Sequence, residues 1–152
     1  LPRTARAPSC TFFKCLSFRT AGSPSLVFKL PLVSIRIQHN GIAYKTLALI
    51  DSGATATFLP KDAMVILNID PKEIGRVTGA GGTFEAWKDR VELKQICKGD
   101  HTYCEMKHVP VQFPRNGGAV PYAVLGRDSI FRKCDITFRE DDHRVIFKHM
   151  KP

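Results

Sequence analysis

Leu47-Ala48-Leu49-Ile50-Asp51-Ser52-Gly53-Ala54 is the stretch that decides how this chain is read. An apolar run delivers a carboxylate, then a hydroxyl residue, then a glycine. The run has the texture of a buried strand, which would fix the backbone of Asp51. Ser52 can hydrogen-bond its surroundings and stiffen the loop. Gly53 lacks a Cβ and lets another backbone approach closely. Asp-Ser-Gly by itself is also a common turn tripeptide. Two neighbouring features argue for more: Asp51 follows a strongly apolar strand rather than a polar loop, and Phe58-Leu59-Pro60 soon returns the chain to the core.

The rest of the chain has β texture. Val33-Ser34-Ile35-Arg36-Ile37-Gln38 alternates apolar and polar residues with period two, the mark of a half-buried strand. Asn40-Gly41 then predicts a tight hairpin, since both residues tolerate positive φ, and Ala43 to Ile50 is the return strand. Pro60 opens a short helix over Lys61 to Leu67. Further strands are predicted at Thr83 to Trp87, Val91 to Cys97, Val109 to Phe113 and Tyr122 to Leu125, with a turn around Asn116-Gly117-Gly118. A short helix or turn over Ser129 to Arg132 leads into a last hairpin, Cys134 to Phe138 and Arg144 to Lys148, around Glu140-Asp141-Asp142. Many short strands separated by turn signals predict an all-β barrel or sandwich.

With 152 residues, 43% of them hydrophobic and 24% charged, the chain holds material for one domain with a real core. No apolar run approaches the ~18 residues that a membrane-spanning helix needs, so no membrane segment is expected. The net charge of +9 is concentrated at one end. Seven basic residues precede the first acidic one, Asp51, and from there onward the balance is only +2. That distribution gives no domain-wide nucleic-acid surface, and no nucleic-acid partner is expected. Residues 1–25 carry Pro2, Pro8, Gly22 and Pro24 with scattered Arg and Ser. They read as a basic, flexible tail before a domain over 26–152. In composition the tail resembles an organelle transit peptide, although its prolines would break an amphipathic helix. The chain does not begin with Met and reads as a processed form or a piece of something longer. Cys10, Cys15, Cys97, Cys104 and Cys134 are odd in number and irregular in spacing, which favours a reducing intracellular compartment over a disulfide framework.

Three segments in order resemble the retropepsin family, the single-lobe aspartic proteases of retroviruses, retrotransposons and their cellular relatives. Asp51-Ser52-Gly53-Ala54 matches the family's active-site loop. Arg76-Val77-Thr78-Gly79-Ala80-Gly81-Gly82-Thr83-Phe84 looks like the glycine-rich flap. Ala123-Val124-Leu125-Gly126-Arg127-Asp128 matches the apolar-apolar-Gly-Arg-Asp/Asn segment. The resemblance spans about Leu32 to Phe147 and implies a closed or partly open β-barrel with one or two short helices. It assigns catalysis to Asp51, Ser52 and Gly53, substrate contact to Ala54, Gly79, Ala80, Gly81 and Gly82, and structural support to Gly126, Arg127 and Asp128. Viral relatives carry an Asp four residues beyond the catalytic one, paired with the Arg; Thr55 stands there in this chain, so Arg127 needs another partner, such as Asp128 of either chain or a carbonyl. The stretch between flap and Gly126 is also longer and holds Cys97, His101, Cys104 and His108. Their spacing fits no standard zinc pattern well. With Lys98-Gly99-Asp100 as a hairpin turn, Cys97 and Cys104 would lie near each other across two strands, in reach of a conditional disulfide. No metal and no cofactor are expected. His39, His143 and His149 read as surface residues, and Trp87 as packing beneath the flap.

An aspartic protease needs two carboxylates that share one proton. This chain contains one Asp-Ser-Gly, so the resemblance implies a homodimer with the two Asp51 side chains together, acting on an extended polypeptide. Two rivals differ in class: a catalytically silent dimerisation or peptide-binding module, and a basic-tailed nucleic-acid-binding β domain. The intact Asp51-Ser52-Gly53 and flap glycines favour the enzyme over the first. For the second, the near-neutral body predicts no salt-dependent retention of single-stranded nucleic acid in a filter assay; retention that weakens steeply with salt would restore that reading.

Overall fold

The computed structural model describes residues 9–11, 13–18, 26–79, 82–97, 101–116 and 122–149. Its strands are β1 (Ser9–Thr11), β2 (Phe13–Phe18), β3 (Leu26–His39), β4 (Ile42–Ile50), β5 (Glu73–Gly79), β6 (Gly82–Cys97), β7 (His101–Pro114), β8 (Ala123–Leu125), β9 (Cys134–Arg139) and β10 (Arg144–His149). A single α-helix, α1 (Lys61–Ile66), and a 3₁₀ turn at Ile130–Arg132 complete the described elements. The fold is all-β and retropepsin-like.

Period-two burial builds the centre of this architecture. Val33, Ile35 and Ile37 are fully buried, while Ser34, Arg36 and Gln38 between them are only partly covered. β3 is hydrogen-bonded on one side to β4 and on the other to β6, which makes it interior to the larger sheet. That sheet runs β5-β6-β3-β4-β8, with β2 also on β3 and β7 also on β6. A smaller sheet has the order β1-β10-β9. Phe113 on β7, Phe147 on β10, Leu125 on β8 and Ile130 pack with the β3 residues into one core. Each large side chain fully removed from water there contributes roughly 1.5–3 kcal/mol. On α1, Ala63 is buried, as is Leu67 just beyond the helix, one turn apart on the same face, whereas Val65 and Ile66 face outward. No helix among the described residues is long and apolar enough to cross a membrane.

Three expectations change. Thr83–Trp87 and Val91–Cys97 are one strand, because Lys88, Asp89 and Arg90 continue the ladder opposite Gln112, Val111 and Pro110 of β7. β7 also starts earlier than Val109, at His101, and changes register between Met106 and Val109. His108 there has φ +55, and its carbonyl accepts a hydrogen bond from Arg90 Nη1 at 3.0 Å. Finally, the lead segment read as a tail supplies β1, paired with β10, and β2, paired with β3. Antiparallel backbone pairing gives these residues a place that their own sequence, which shows no period, does not signal.

The β3–β4 hairpin turns through Asn40 at φ +47 and Gly41 at φ +81. A Cβ on Gly41 would meet nothing within 4 Å, so any cost of substitution is conformational alone. Gly41→Ala should lower unfolding free energy by about 1–2 kcal/mol, read as a shift of the urea midpoint at constant slope.

Candidate active site

Asp51 leaves the end of β4 where that strand runs parallel to β8, with Ile50 opposite Leu125. Its N–H donates to the Leu125 carbonyl at 3.1 Å, extending the ladder one residue past both strands. The carboxylate is half-buried and is held by its own loop: Gly53 N–H donates to Asp51 Oδ1 at 2.8 Å, and Ala54 N–H to the Asp51 carbonyl at 3.3 Å. Gly53 suits this place because a Cβ would come within 3.1 Å of the carboxylate oxygen. Ser52 and Gly53 are exposed. The Ser52 hydroxyl makes no hydrogen bond among the described residues, so the stiffening expected of it inside the chain falls to Gly53 and to the segments beneath.

Those segments are Ala54–Phe58 and Gly126–Ser129. Arg127 N–H donates to the Ala54 carbonyl at 2.9 Å and Asp128 N–H to the Thr55 carbonyl at 3.1 Å. Phe58 and Val124 exchange backbone bonds at 2.9 and 2.8 Å, while Gln112 N–H donates to the Thr57 carbonyl at 3.0 Å. The loop is therefore wedged between β7 and β8. Gly126 is required by close approach: a Cβ there would lie 2.2 Å from the Ala56 carbonyl oxygen. Thr57 and Ser129, which the motif reading passed over, are buried polar residues at this crossing. The available signal was a hydroxyl residue between Ala56 and Phe58, in a stretch otherwise returning to the core.

Arg127 is exposed, and its guanidinium has no ion pair among the described residues. Within the chain, Asp128 Oδ1 accepts from Thr57 Oγ1 at 2.6 Å. The β5–β6 hairpin pairs through Gly79 opposite Gly82, and Gly82 has φ +108. Ala80 and Gly81 lie outside the described residues. The hairpin leans on the loop: the rings of Phe84 and Phe58 are 6.0 Å apart, tilted by 50°. Its stem is tied to the end of β7 by Arg115, whose Nη1 is 2.7 Å from Glu85 Oε2 and whose guanidinium sits 5.3 Å over the Trp87 ring. Trp87 thus packs on the core edge beneath the hairpin stem.

Cys97 is opposite His101 in the ladder and Cys104 is opposite Gln95, so the two cysteines lie on neighbouring strands but are not direct ladder partners. Cys104 instead points into the core, with its sulphur 4.0 Å from Cys134 Sγ. His108 is the exposed residue at the register change. The hydrogen bond to Cys104, together with burial, raises the Cys134 thiol well above the ordinary range, so this thiol stays protonated. No group of three or more potential metal ligands comes together among the described residues.

A family model described as aspartyl protease matches residues 17–129, which include the Asp51 loop, the β5–β6 hairpin and Gly126-Arg127-Asp128. No curated protein matches the chain. Gly126→Ala should cost about 3 kcal/mol or more, since backbone atoms cannot yield as a flexible side chain does. Gly79→Ala, with nothing within 4 Å of the added carbon, should melt like the parent. Equal melting temperatures for the two variants would remove the crossing from its place in the fold.

Proposed function

The chain belongs to the aspartyl protease family, and from that membership we propose that it is an aspartic endopeptidase active as a homodimer, with one Asp51 from each copy. The observation that carries this reading is the carriage of Asp51. Its carboxylate is half-buried at the end of an apolar strand and fixed by Gly53 N–H, while the tip of the loop is uncovered in the single chain. One such loop exists in the sequence, so a second carboxylate has to come from a second copy.

Two carboxylates at hydrogen-bonding distance hold one proton between them, because like charges so close do not both ionise. The ionised member takes a proton from a bound water as that water attacks the scissile carbonyl. The protonated member hydrogen-bonds the carbonyl oxygen, and the proton gained is passed to the departing amine. Gly79 to Gly82 would cover an extended peptide and exclude bulk water. Ala54 would lie beside the substrate backbone. No metal or cofactor enters this chemistry.

Incubation of the chain with a diverse peptide pool should yield internal cleavages, and Asp51→Asn should yield none. The two-chain site is tested by mixing. At concentrations well above the dimer dissociation constant, an equal amount of Asp51→Asn chain should remove about half of the activity once subunits exchange, since random pairing puts half of the parent chains into mixed dimers. Full activity after proven exchange would exclude a site built from two Asp51 residues. A folded, dimeric chain that binds peptides without cleaving them would make it a binding module instead.

A further inference from the structure

A buried hydroxyl sits where the loop that carries Asp51 crosses the segment after β8. Thr57 is fully buried and Ser129 nearly so, at 0% and 2% exposure. Thr57 Oγ1 lies 2.6 Å from Asp128 Oδ1, 2.7 Å from Ser129 Oγ and 3.2 Å from Gly126 N. Ser129 Oγ is also 3.1 Å from the Gly126 carbonyl.

The protons have few ways to be distributed. A carboxylate only accepts, a backbone N–H only donates, and a hydroxyl donates once and accepts twice. Thr57 therefore donates to Asp128 and accepts from Gly126 N–H. Ser129 in turn donates to the Gly126 carbonyl, and its Oγ stands as the alternative acceptor of the Thr57 proton. The proton and a lone pair of the Thr57 hydroxyl are thereby both engaged. Hydrogen bonds to a charged acceptor in a buried site are the strong ones, and an unmet partner there is costly. The same crossing carries the bonds from Arg127 N–H to Ala54 and from Asp128 N–H to Thr55. At its other end, among the described residues, the loop is tied through Asp51 N–H to Leu125 and its own turn.

We infer that Thr57 is the positioning residue of this site: its hydroxyl, clamped by Asp128, Gly126 and Ser129, sets the place of the Asp51 carboxylate. In this chain a carboxylate–hydroxyl node does the holding, while the Arg127 guanidinium stands exposed beside it. The inference rests on the protease reading above. Thr57 does not touch the reacting atoms. It acts through the backbone of residues 54–57, which leads directly from the carboxylate-bearing turn.

The test compares Thr57→Val, which keeps the shape and removes the hydroxyl, with Thr57→Ser, which keeps the hydroxyl. With a peptide that the parent cleaves, Thr57→Val should lower kcat about 10- to 100-fold with KM within about twofold. Thr57→Ser should restore most of kcat, and Asp128→Asn, whose amide oxygen still accepts, should retain more activity than Asp128→Ala. Amide exchange at Arg127 and Asp128 should quicken in Thr57→Val and return to parental protection in Thr57→Ser. A folded Thr57→Val dimer with parental kcat overturns the inference, as does a loss of kcat that Thr57→Ser fails to repair. If Thr57→Val does not fold, Ser129→Ala removes one partner and leaves the rest; it should lower kcat several-fold, and parental kcat there overturns the inference. If the parent cleaves no peptide, the protease reading falls. The exchange measurement then decides separately whether Thr57 holds the loop, and unchanged protection refutes it.

Discussion

The crossing of residues 54–57 over Gly126 is the constraint from which the rest of the site follows. Two backbones pass so closely that an added Cβ would sit 2.2 Å from the Ala56 carbonyl oxygen. Such an approach turns the facing backbone groups of the two segments toward each other, where they find partners. Ala54 and Thr55 carbonyls accept from Arg127 and Asp128, and Thr57 closes the remaining positions with its hydroxyl. The parallel pairing of β4 with β8 supplies the approach itself, since both strands end at the same level and release their chains side by side. A carboxylate mounted on this crossing has little freedom, and its loop is pinned without any ion pair to an arginine.

Much of the frame was legible because one rule at a time governed it. Alternation from Val33 to Gln38 and the Asn40-Gly41 turn specify the β3–β4 hairpin without reference to anything distant. The apolar run to Ile50 likewise marks where Asp51 must emerge. What could not be read depends on pairing between remote segments. In β7 the buried residues are Cys104 and Met106, then Val109, Val111 and Phe113, so the buried parity changes from even to odd. The extra residue near His108 makes that change, with φ +55 that a non-glycine residue adopts uncommonly. A strict period-two reading starts afresh at Val109 and loses the first half of the strand. β6 hides its continuity in the opposite way, because Lys88, Asp89 and Arg90 look like a turn until strands on both sides are known.

The same limit explains the cysteines and histidines. Spacing along the chain put Cys97 and Cys104 on facing strands, and both are indeed on β6 and β7. A second irregularity between Gln95 and Ile96 shifts the register, however, and Cys104 turns inward toward Cys134, thirty positions away. The buried Cys134 thiol donates to Cys104 and is held in its protonated form, so the two sulphurs meet as packed core groups. Residue type alone could not show this, because the place of Cys104 and Cys134 in the core depends on contact between remote segments.

The Asp51 site shows the converse. Its motif residues were found by type and order, but the groups that hold them were not, because Thr57 and Ser129 belong to no motif and matter only through contact. Replacement of the family's acidic residue by Thr55 looked like a missing partner for Arg127. In the fold, the acid that matters lies on the same segment as that arginine: Asp128 accepts from Thr57, and Arg127 is left exposed. A neutral hydroxyl and a carboxylate can bind in a buried crossing with one desolvated charge, whereas an arginine–aspartate pair would bring two. The cost of burial is lower with one charge, and the short 2.6 Å contact is of the charge-assisted kind that retains its strength away from water. The Thr57–Asp128 contact thus lies inside the crossing, next to the backbone that leads to Asp51, while the arginine stands exposed beside it.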